Sequence, residues 1–476
     1  MEPVPTPSTP LDASQLTAIF ERQSAHYLRV GTTDTRQRLR KLDSLHQAVL
    51  RHRPAIKSAM WADFRKPPLE VDAVEVFPLT SAIRHTRRHL HRWMTPKRVP
   101  TPLAFTGSSS WIQYEPKGCC LIISPWNFPF NLSFLPLISA VAAGNCVILK
   151  PSEKTPHSSA LIAKIVSEVF DPSEVTVVEG EADTAKALLE LPFHHIFFTG
   201  SPGIGRLVMQ AASRHLASVT LELGGKSPTI VDETADIPLA AERTARAKFA
   251  NCGQICVAPD YILVHEKVAE RFLDHLRAAL ADSYGSQPGQ SGSLAHLVNE
   301  AHAQRIRHLL RDALSKGARC YHGGDVPDGQ SFVSPTILTQ VPENALVLQE
   351  EIFGPLLPVL PFRDLSDAIR FINNRERPLT MSIFSRNRRT VRTLLQQTRA
   401  GGSCINHAQL HYFIPDLPFG GVNGSGSGKA HGWHGFESFS NARAIYRQHT
   451  WGPTELFKPP YTAFKQRIMD LTIKWL

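Results

Sequence analysis

Two side chains in this sequence are suited to covalent chemistry: Cys256, in Asn251-Cys252-Gly253-Gln254-Ile255-Cys256-Val257-Ala258-Pro259-Asp260, and Glu222, in Glu222-Leu223-Gly224-Gly225-Lys226. A thiolate is the strongest biological nucleophile near neutral pH. Once it carries an acyl group, a separate base must activate the water that releases the product, and a carboxylate can cycle that proton. An amide donor that steadies the oxygen of a tetrahedral adduct would complete the set, and Asn127 in Pro125-Trp126-Asn127-Phe128-Pro129 supplies one. Taken singly, each has a plainer reading. A buried cysteine is more often inert core, a Glu beside two glycines is usually a surface charge, and an Asn after a strand often caps a turn.

Further segments shift that balance. A strand ending His195-Ile196-Phe197-Phe198-Thr199 runs into Gly200-Ser201-Pro202-Gly203-Ile204-Gly205, with a helix expected over Arg206–Arg214. Glycines at a strand-to-helix turn let backbone approach a pyrophosphate, and the helix N-terminus attracts its charge. The spacing departs from G-x-G-x-x-G, so alone it is a weak signal. Lys150-Pro151-Ser152-Glu153 follows another strand, and Glu350-Glu351-Ile352-Phe353-Gly354-Pro355 and Leu417-Pro418-Phe419-Gly420-Gly421-Val422 lie beyond Cys256.

In order and spacing these segments resemble the motifs of the aldehyde dehydrogenase superfamily, from about Leu16 to His449. The resemblance implies that Cys256 attacks an aldehyde carbonyl, and that Asn127 and the Cys256 backbone N–H hold the oxyanion. Oxidation by the nicotinamide leaves a thioester, which Glu222 hydrolyses as general base. It assigns the cofactor to Trp126, Lys150, Glu153, Gly200, Ser201, Pro202, Gly203, Ile204, Gly205, Glu351 and Phe353. Lys150 and Glu153 would take the adenosine ribose, Glu351 the nicotinamide ribose, and Phe353 the nicotinamide ring. Glu153 would repel a 2′-phosphate that Lys150 could accommodate, so NAD is favoured and NADP use stays open. The family usually has Gly where this chain has Asn423, a residue that tolerates positive φ.

The class 3 branch fits best, on the C-V-A-P-D after the nucleophile, Leu410-His411-Tyr412-Phe413 and His431-Gly432. That branch implies medium- to long-chain aliphatic or aromatic aldehydes and a homodimer. Phe130, Tyr412 and Phe413 are candidates for an apolar funnel, or for core. One rival is a dehydrogenase that passes the acyl group to coenzyme A, against which Glu222 argues. Another is a non-catalytic, membrane-docked relative that keeps the fold, against which the complete catalytic set argues.

These residues need a scaffold of several elements. At 476 residues the chain exceeds one core. Strands expected over Gly118–Ser124, Cys146–Lys150, Val175–Glu179 and His195–Thr199 alternate with helices over Asn131–Ala143, Ser158–Phe170 and Thr184–Glu190. That rhythm predicts an α/β fold with a doubly wound parallel sheet, whose ligands bind beyond the carboxyl ends of the strands. A second α/β run begins near Glu222, giving a boundary near Leu221. The expected division is a disordered 1–13, an NAD(P)-binding Rossmann-type domain over 14–108 and 119–221, and a catalytic domain over 222–417. By resemblance, 109–118 and 437–450 form a small β oligomerisation element. An amphipathic helix is expected over 460–476, with Phe464, Ile468, Leu471 and Trp475 on one stripe. Packing on the body or a partner subunit is its plainer role, and membrane docking the alternative.

The net charge of +10 gathers between Arg84 and Arg98, where six Lys or Arg and three His occur without an acid. A solvated basic surface is the favoured reading over an acidic membrane or nucleic acid, and no nucleic-acid motif supports the last. Seven cysteines without framework spacing imply reduced thiols and a cytoplasmic protein. Cys119 and Cys120 read as core. Cys252 and Cys256 lack the companions of a metal site, so no metal is expected.

Overall fold

The computed structural model describes residues 11–475 except Asp328 and Thr450; most of the stretch expected to be disordered lies outside the described residues. Its last three residues, Leu11, Asp12 and Ala13, are described, and Ala13 already opens a helix, which corrects the expectation for them. Asp12 caps the helix Ala13–Ser24: its carboxylate accepts the Gln15 backbone N–H at 2.8 Å, and the Gln15 side chain accepts that of Asp12 at 2.9 Å. This capping box satisfies two otherwise unpaired donors at once.

In chain order the strands begin with β1 (Lys97–Val99), β2 (Ser108–Pro116), β3 (Cys119–Ile123), β4 (Cys146–Lys150), β5 (Val175–Val177), β6 (His195–Gly200) and β7 (Ser218–Leu223). A second series follows: β8 (Pro228–Val231), β9 (Tyr261–His265), β10 (Arg319–His322), β11 (Thr336–Thr339), β12 (Leu356–Phe362), β13 (Thr380–Phe384) and β14 (Gly402–Ile405). Last come β15 (Gly426–Ser427) and β16 (Ser440–Gln448). They form a six-stranded sheet ordered β15-β7-β6-β3-β4-β5, a seven-stranded sheet ordered β10-β11-β12-β9-β8-β13-β14, and a three-stranded sheet ordered β1-β2-β16.

Both large sheets are parallel except at one edge, where β15 and β10 run antiparallel. Continuous apolar runs such as Cys-Cys-Leu-Ile-Ile in β3 suit strands covered on both faces. Their side chains divide accordingly. Cys120 and Ile122 join a core with the helices Thr35–Arg51, Phe77–Met94, Pro129–Ala143 and Pro156–Val169, while Cys119 and Leu121 join another with Leu16, Phe20, Val208 and Ala212. In the six-stranded sheet the chain order reverses between β3 and β6, which creates a crevice at their carboxyl ends. The segment after β3 carries Asn127, β4 ends in Lys150, β6 ends at Gly200, and β7 carries Glu222.

Two sequence boundaries need correction. β7 continues through Glu222 to Leu223, paired with β6 and β15, so Glu222 closes the first sheet instead of opening the second. The helix after β6 starts at Pro202, not Arg206. Ser201 caps it and Pro202 occupies its first turn, so Gly203, Ile204 and Gly205 are already helical. Gly205 is there for packing: a Cβ would stand 2.6 Å from a Leu223 methyl.

The three-stranded sheet is partly exposed, and most of β16 faces solvent. Near the carboxyl end the helix Ala463–Trp475 forms as the periodicity predicts, but it does not pack on the body: Phe464 is 69 % and Trp475 75 % exposed. No helix among the described residues is long and apolar enough to cross a membrane.

Candidate active site

The segment leading to Cys256 is held in an unusual backbone path. Asn251, Cys252 and Gly253 take φ of 49°, 55° and 75°, a left-handed run that non-glycine residues adopt at a cost. Gly253 is required, because a Cβ would lie 2.2 Å from the Gly354 carbonyl oxygen. Buried Gln254 fixes the path. Its amide donates to the carbonyls of Asn251 (2.9 Å) and His296 (3.0 Å) and accepts from the Val298 N–H (2.9 Å). Cys256 emerges half-buried, with the N–H groups of Cys256 and Val257 directed at its sulfur. Burial first, then the charges of Glu351 and Glu222, push this thiol up to about 12. The thiol is thus protonated at rest and must shed its proton before attack.

Asn127 is buried beside this loop, and its side-chain amide donates to the Gln254 carbonyl at 3.0 Å, two residues before Cys256. Its own carbonyl accepts from the Asn251 amide (3.1 Å) and the Lys66 ammonium (3.0 Å). Lys66 also donates to Glu75 at 3.2 Å, and both side chains are fully buried. A π-helical turn over Asp72–Val76 turns Glu75 inward, where its second oxygen accepts the Asn131 N–H at 2.8 Å. The Asn131 side chain in turn accepts from the Tyr412 hydroxyl at 3.0 Å.

Glu222 is 6 % exposed, and among the described residues neither carboxyl oxygen has a hydrogen-bond partner. Burial holds its carboxyl well above the usual range, opposed by the charge of Lys429. An unpartnered buried carboxyl in a crevice is a proton-transfer group waiting for an occupant.

Two cavities meet at this point, and Cys256 and Glu222 line both. One, about 950 Å³ including its open mouth, is apolar and bounded by Leu132, Leu135, Leu379, Tyr412, Phe413 and Phe419. Tyr412 and Phe413 thus line the funnel, one of the two roles the sequence leaves open for them. Phe130 does not: it is fully buried and packs near Phe134 in the core.

The other cavity, about 1920 Å³ with its open space, runs across the carboxyl ends of the six-stranded sheet. Of the expected cofactor residues, Trp126, Lys150, Glu153, Gly200, Ser201, Pro202, Ile204, Glu351 and Phe353 line it. Gly203 and Gly205 do not; they belong to the helix behind the wall. The lining suits NAD(P). At one end the Lys150 ammonium lies 3.3 Å from the Glu153 carboxylate, a donor–acceptor pair for ribose hydroxyls. The N-terminus of Pro202–Ser213 faces the middle with the polarity that favours phosphate. At the other end Glu351 is pushed up to about 8, chiefly by burial and then by Asp260, against the Gly225 N–H, Lys226 and Arg305. A Cβ on Gly224 would stand 1.9 Å from a Glu351 carboxyl oxygen, so only glycine leaves that seat free. Phe353, at φ 47°, stacks edge-on against Trp126 with centroids 5.4 Å apart.

Sequence reasoning missed Lys66, Glu75 and Asn131, whose roles come from contacts far along the chain, and it missed Lys429. The remaining histidines and thiols add no ligand set. His85 and His89 stack at 4.3 Å, Cys252 is fully buried, and among the described residues no cluster of three His, Cys, Asp or Glu could hold a metal. Asn423 takes φ 54°, the conformation its replacement of Gly demands.

Comparison with known proteins agrees with this geometry. Residues 9–445 match the model of the aldehyde dehydrogenase family. The chain is 40 % identical over 442 residues to the 4,4′-diaponeurosporen-aldehyde dehydrogenase of Staphylococcus aureus, covering 93 % of this chain and 96 % of that protein. It is also 40 % identical over 407 residues to human aldehyde dehydrogenase family 3 member B1, covering 86 % of each. A solved structure described as the substrate-bound state of Staphylococcus aureus AldH superposes with a TM-score of 0.92 at 38 % identity, covering 96 % of this chain and 99 % of that one.

Proposed function

The chain belongs to the aldehyde dehydrogenase family, with class 3 enzymes among its relatives, and oxidises aldehydes with NAD(P); from that premise we propose how its residues divide the work. The observation that carries the proposal is the shared position of Cys256 and Glu222 at the junction of an apolar cavity and a cleft lined by Lys150, Glu153, Ser201, Glu351 and Phe353. An aldehyde with a medium or long aliphatic chain, or an aromatic ring, occupies the apolar side, and the product is the carboxylic acid.

The Cys256 thiol gives its proton to the Glu222 carboxylate at the same junction, which passes it on to solvent. The thiolate then adds to the carbonyl carbon, and the carbonyl π pair moves onto oxygen. The Cys256 N–H and an Asn127 amide hydrogen receive that oxyanion. Lys150, Glu153, the helix N-terminus at Ser201 and Pro202, Glu351 and Phe353 would hold NAD(P), which would supply the two-electron acceptor for the oxidation. Glu222 then removes a proton from water as the water oxygen bonds to the acyl carbon of the thioester. The C–S bond breaks, the thiolate is restored, and the acid departs. The Glu153 carboxylate beside Lys150 favours NAD over NADP by repelling a 2′-phosphate. Residues 14–108 and 119–223 serve as the cofactor unit and 224–417 as the catalytic unit.

Two copies pair through the arm around β2 and β16, whose exposed outer edge offers unpaired backbone groups. The uncovered stripe of Ala463–Trp475, with Lys465, Arg467 and Lys474 beside it, supports peripheral contact with an anionic membrane surface. The reduced state of all seven cysteines supports a cytoplasmic location.

Cys256→Ala is expected to abolish aldehyde oxidation while NAD binding, followed by fluorescence titration, persists. Turnover at the parent rate would remove Cys256 from the reaction. Supplying coenzyme A and finding acyl-CoA in place of the acid would overturn the role of Glu222.

A further inference from the structure

Lys429 lies in the loop after β15, half-buried, with its ammonium donating to the carbonyls of Gly420 and of Gly421 (3.2 Å). It sits against the general base. A point at the Cβ position of Gly420 is 2.8 Å from a Glu222 carboxyl oxygen and 3.1 Å from Lys429 Cδ, so the two side chains flank one spot that only glycine leaves open. From Cδ, two more bonds bring the ammonium within reach of the carboxylate.

The other titratable groups facing Glu222 carry no compensating charge. Cys256, from the nucleophile loop, is pushed up to about 12 by burial, and Tyr412, from the turn Leu410–Phe413, is held above its ordinary value by burial. His431 lines the same cavity and is drawn down to about 4 by burial, and hence is neutral. Glu351, across the cleft, is an acid and could only oppose ionisation. The strands beside Glu222 present Thr199 and Gly426, which do not titrate. Among the described residues Lys429 is therefore the cation that acts on Glu222, and their influence is mutual.

We propose that Lys429 is a positioning residue for water activation: its ammonium moves from the Gly420 and Gly421 carbonyls onto the Glu222 carboxylate as that group ionises, and so sets the pH range of thioester hydrolysis. The inference rests on the reading of Glu222 as general base. With the proton of the attacking water on Glu222, the pairing is lost and the ammonium returns to the loop carbonyls. With the carboxylate regenerated, the pairing reforms.

The test is single-turnover hydrolysis of the acyl-enzyme formed from a p-nitrophenyl ester, read by mass spectrometry across pH without added cofactor. Lys429→Gln keeps a donor for the loop carbonyls and removes the charge. It is expected to move the rising limb of the pH profile up by about one unit, a roughly tenfold slower hydrolysis below the midpoint, with the plateau intact. Lys429→Arg restores the parental midpoint. A uniform loss of rate with an unmoved midpoint is what a purely structural role would give, and it overturns the proposal. Lys429→Met carries the same comparison should the Gln variant fail to fold. Glu222→Gln is run alongside. If it hydrolyses thioester at the parent rate, the base assignment fails as well; if it is slow while the Lys429→Gln midpoint stays put, only the role of Lys429 falls.

Discussion

Lys66→Met is the perturbation whose size follows most directly from the structure. The Lys66 ammonium is fully buried, donates to Glu75 at 3.2 Å and to the Asn127 carbonyl at 3.0 Å, and lies 4.1 Å from the centre of the Phe128 ring. Removing one partner of a buried ion pair typically costs about 3–5 kcal/mol, because the other charge is left uncompensated. Here the cost is eased. Burial already pushes Glu75 up to about 7, so without Lys66 it takes a proton near neutral pH and keeps the Asn131 N–H as a partner. The lower end, about 3 kcal/mol, is therefore expected. The double variant Lys66→Met/Glu75→Gln strands no charge within the pair, and the Gln oxygen can still accept from Asn131. Burial already holds the neighbouring Glu70 carboxyl above its ordinary value, so that it takes a proton more readily once Lys66 is gone. The double variant is expected to lose only about 1 kcal/mol, the size of one ordinary hydrogen bond.

Thermal unfolding separates these cases. A chain with several sheets is not expected to unfold in two states, so the ranking of midpoints is the observable. For a unit of domain size the single variant should fall by about 6–12 °C and the double by a few degrees. Catalysis should follow a different order. Both variants lose one of the two donors on the Asn127 carbonyl, leaving only the Asn251 amide, and the Asn127 amide is anchored two residues before the nucleophile. Acylation is therefore expected to slow by about 10- to 100-fold in both, since small displacements of reacting groups cost that much. A double variant no more stable than the single would refute the pairing argument. Acylation at the parent rate in both would refute the link to Asn127.

Gly224→Ala places a methyl where a Glu351 carboxyl oxygen lies 1.9 Å away and displaces that carboxyl from the Gly225 N–H. NAD affinity is expected to weaken by about 10- to 100-fold, as for a lost hydrogen bond to a charged group, and an unchanged Kd in fluorescence titration would count against the role of Glu351. Glu222→Gln should accumulate acyl-enzyme, and its effect on stability has a definite sign. A carboxyl raised in the folded state costs nothing below its ordinary value of 4.5, and its penalty grows as pH rises until the buried group itself ionises. The Gln variant should therefore melt higher than the parent at about pH 8 and no higher at about pH 4, and the reverse ranking would contradict the burial argument.

The residues that sequence could reveal are those whose role depends on near neighbours in the chain. Cys256, Glu222 and Asn127 sit in short segments whose joint order and spacing resemble family motifs, and the strands of the six-stranded sheet are apolar runs bounded by turns. The helix start at Pro202 is also local, but the glycines around it read as a loop and mask the Ser201-Pro202 pair that caps and opens the helix. Lys66 was illegible for a different reason. Its partners are 9 and 61 positions away, and a lysine between Arg65 and Pro67 gives no hint that it will be fully buried. Lys429 meets Glu222 only because β15 returns to the edge of the first sheet. The periodicity of Ala463–Trp475 shows which face is apolar but carries no information about what covers it.

The site is assembled from two sheets, and that division puts a demand on the fold that no single motif states. Glu222 ends a strand of one sheet, whereas Cys256 lies in a loop that enters β9 of the other. Their relative placement therefore depends on the connection between sheets. Asp260, 3 % exposed, supplies it: one carboxyl oxygen accepts the Ile352 N–H at 2.9 Å, and the other pairs with the Lys226 ammonium. Lys226 also donates to the carbonyls of Val347 (2.9 Å) and Glu350 (2.8 Å). The segments bearing Glu222, Cys256 and Glu351, separate signals in the sequence, are thus one hydrogen-bonded cluster around a buried carboxylate. In that arrangement Asp260 and Lys226 keep the base, the nucleophile and the cofactor contact in one frame without touching the substrate.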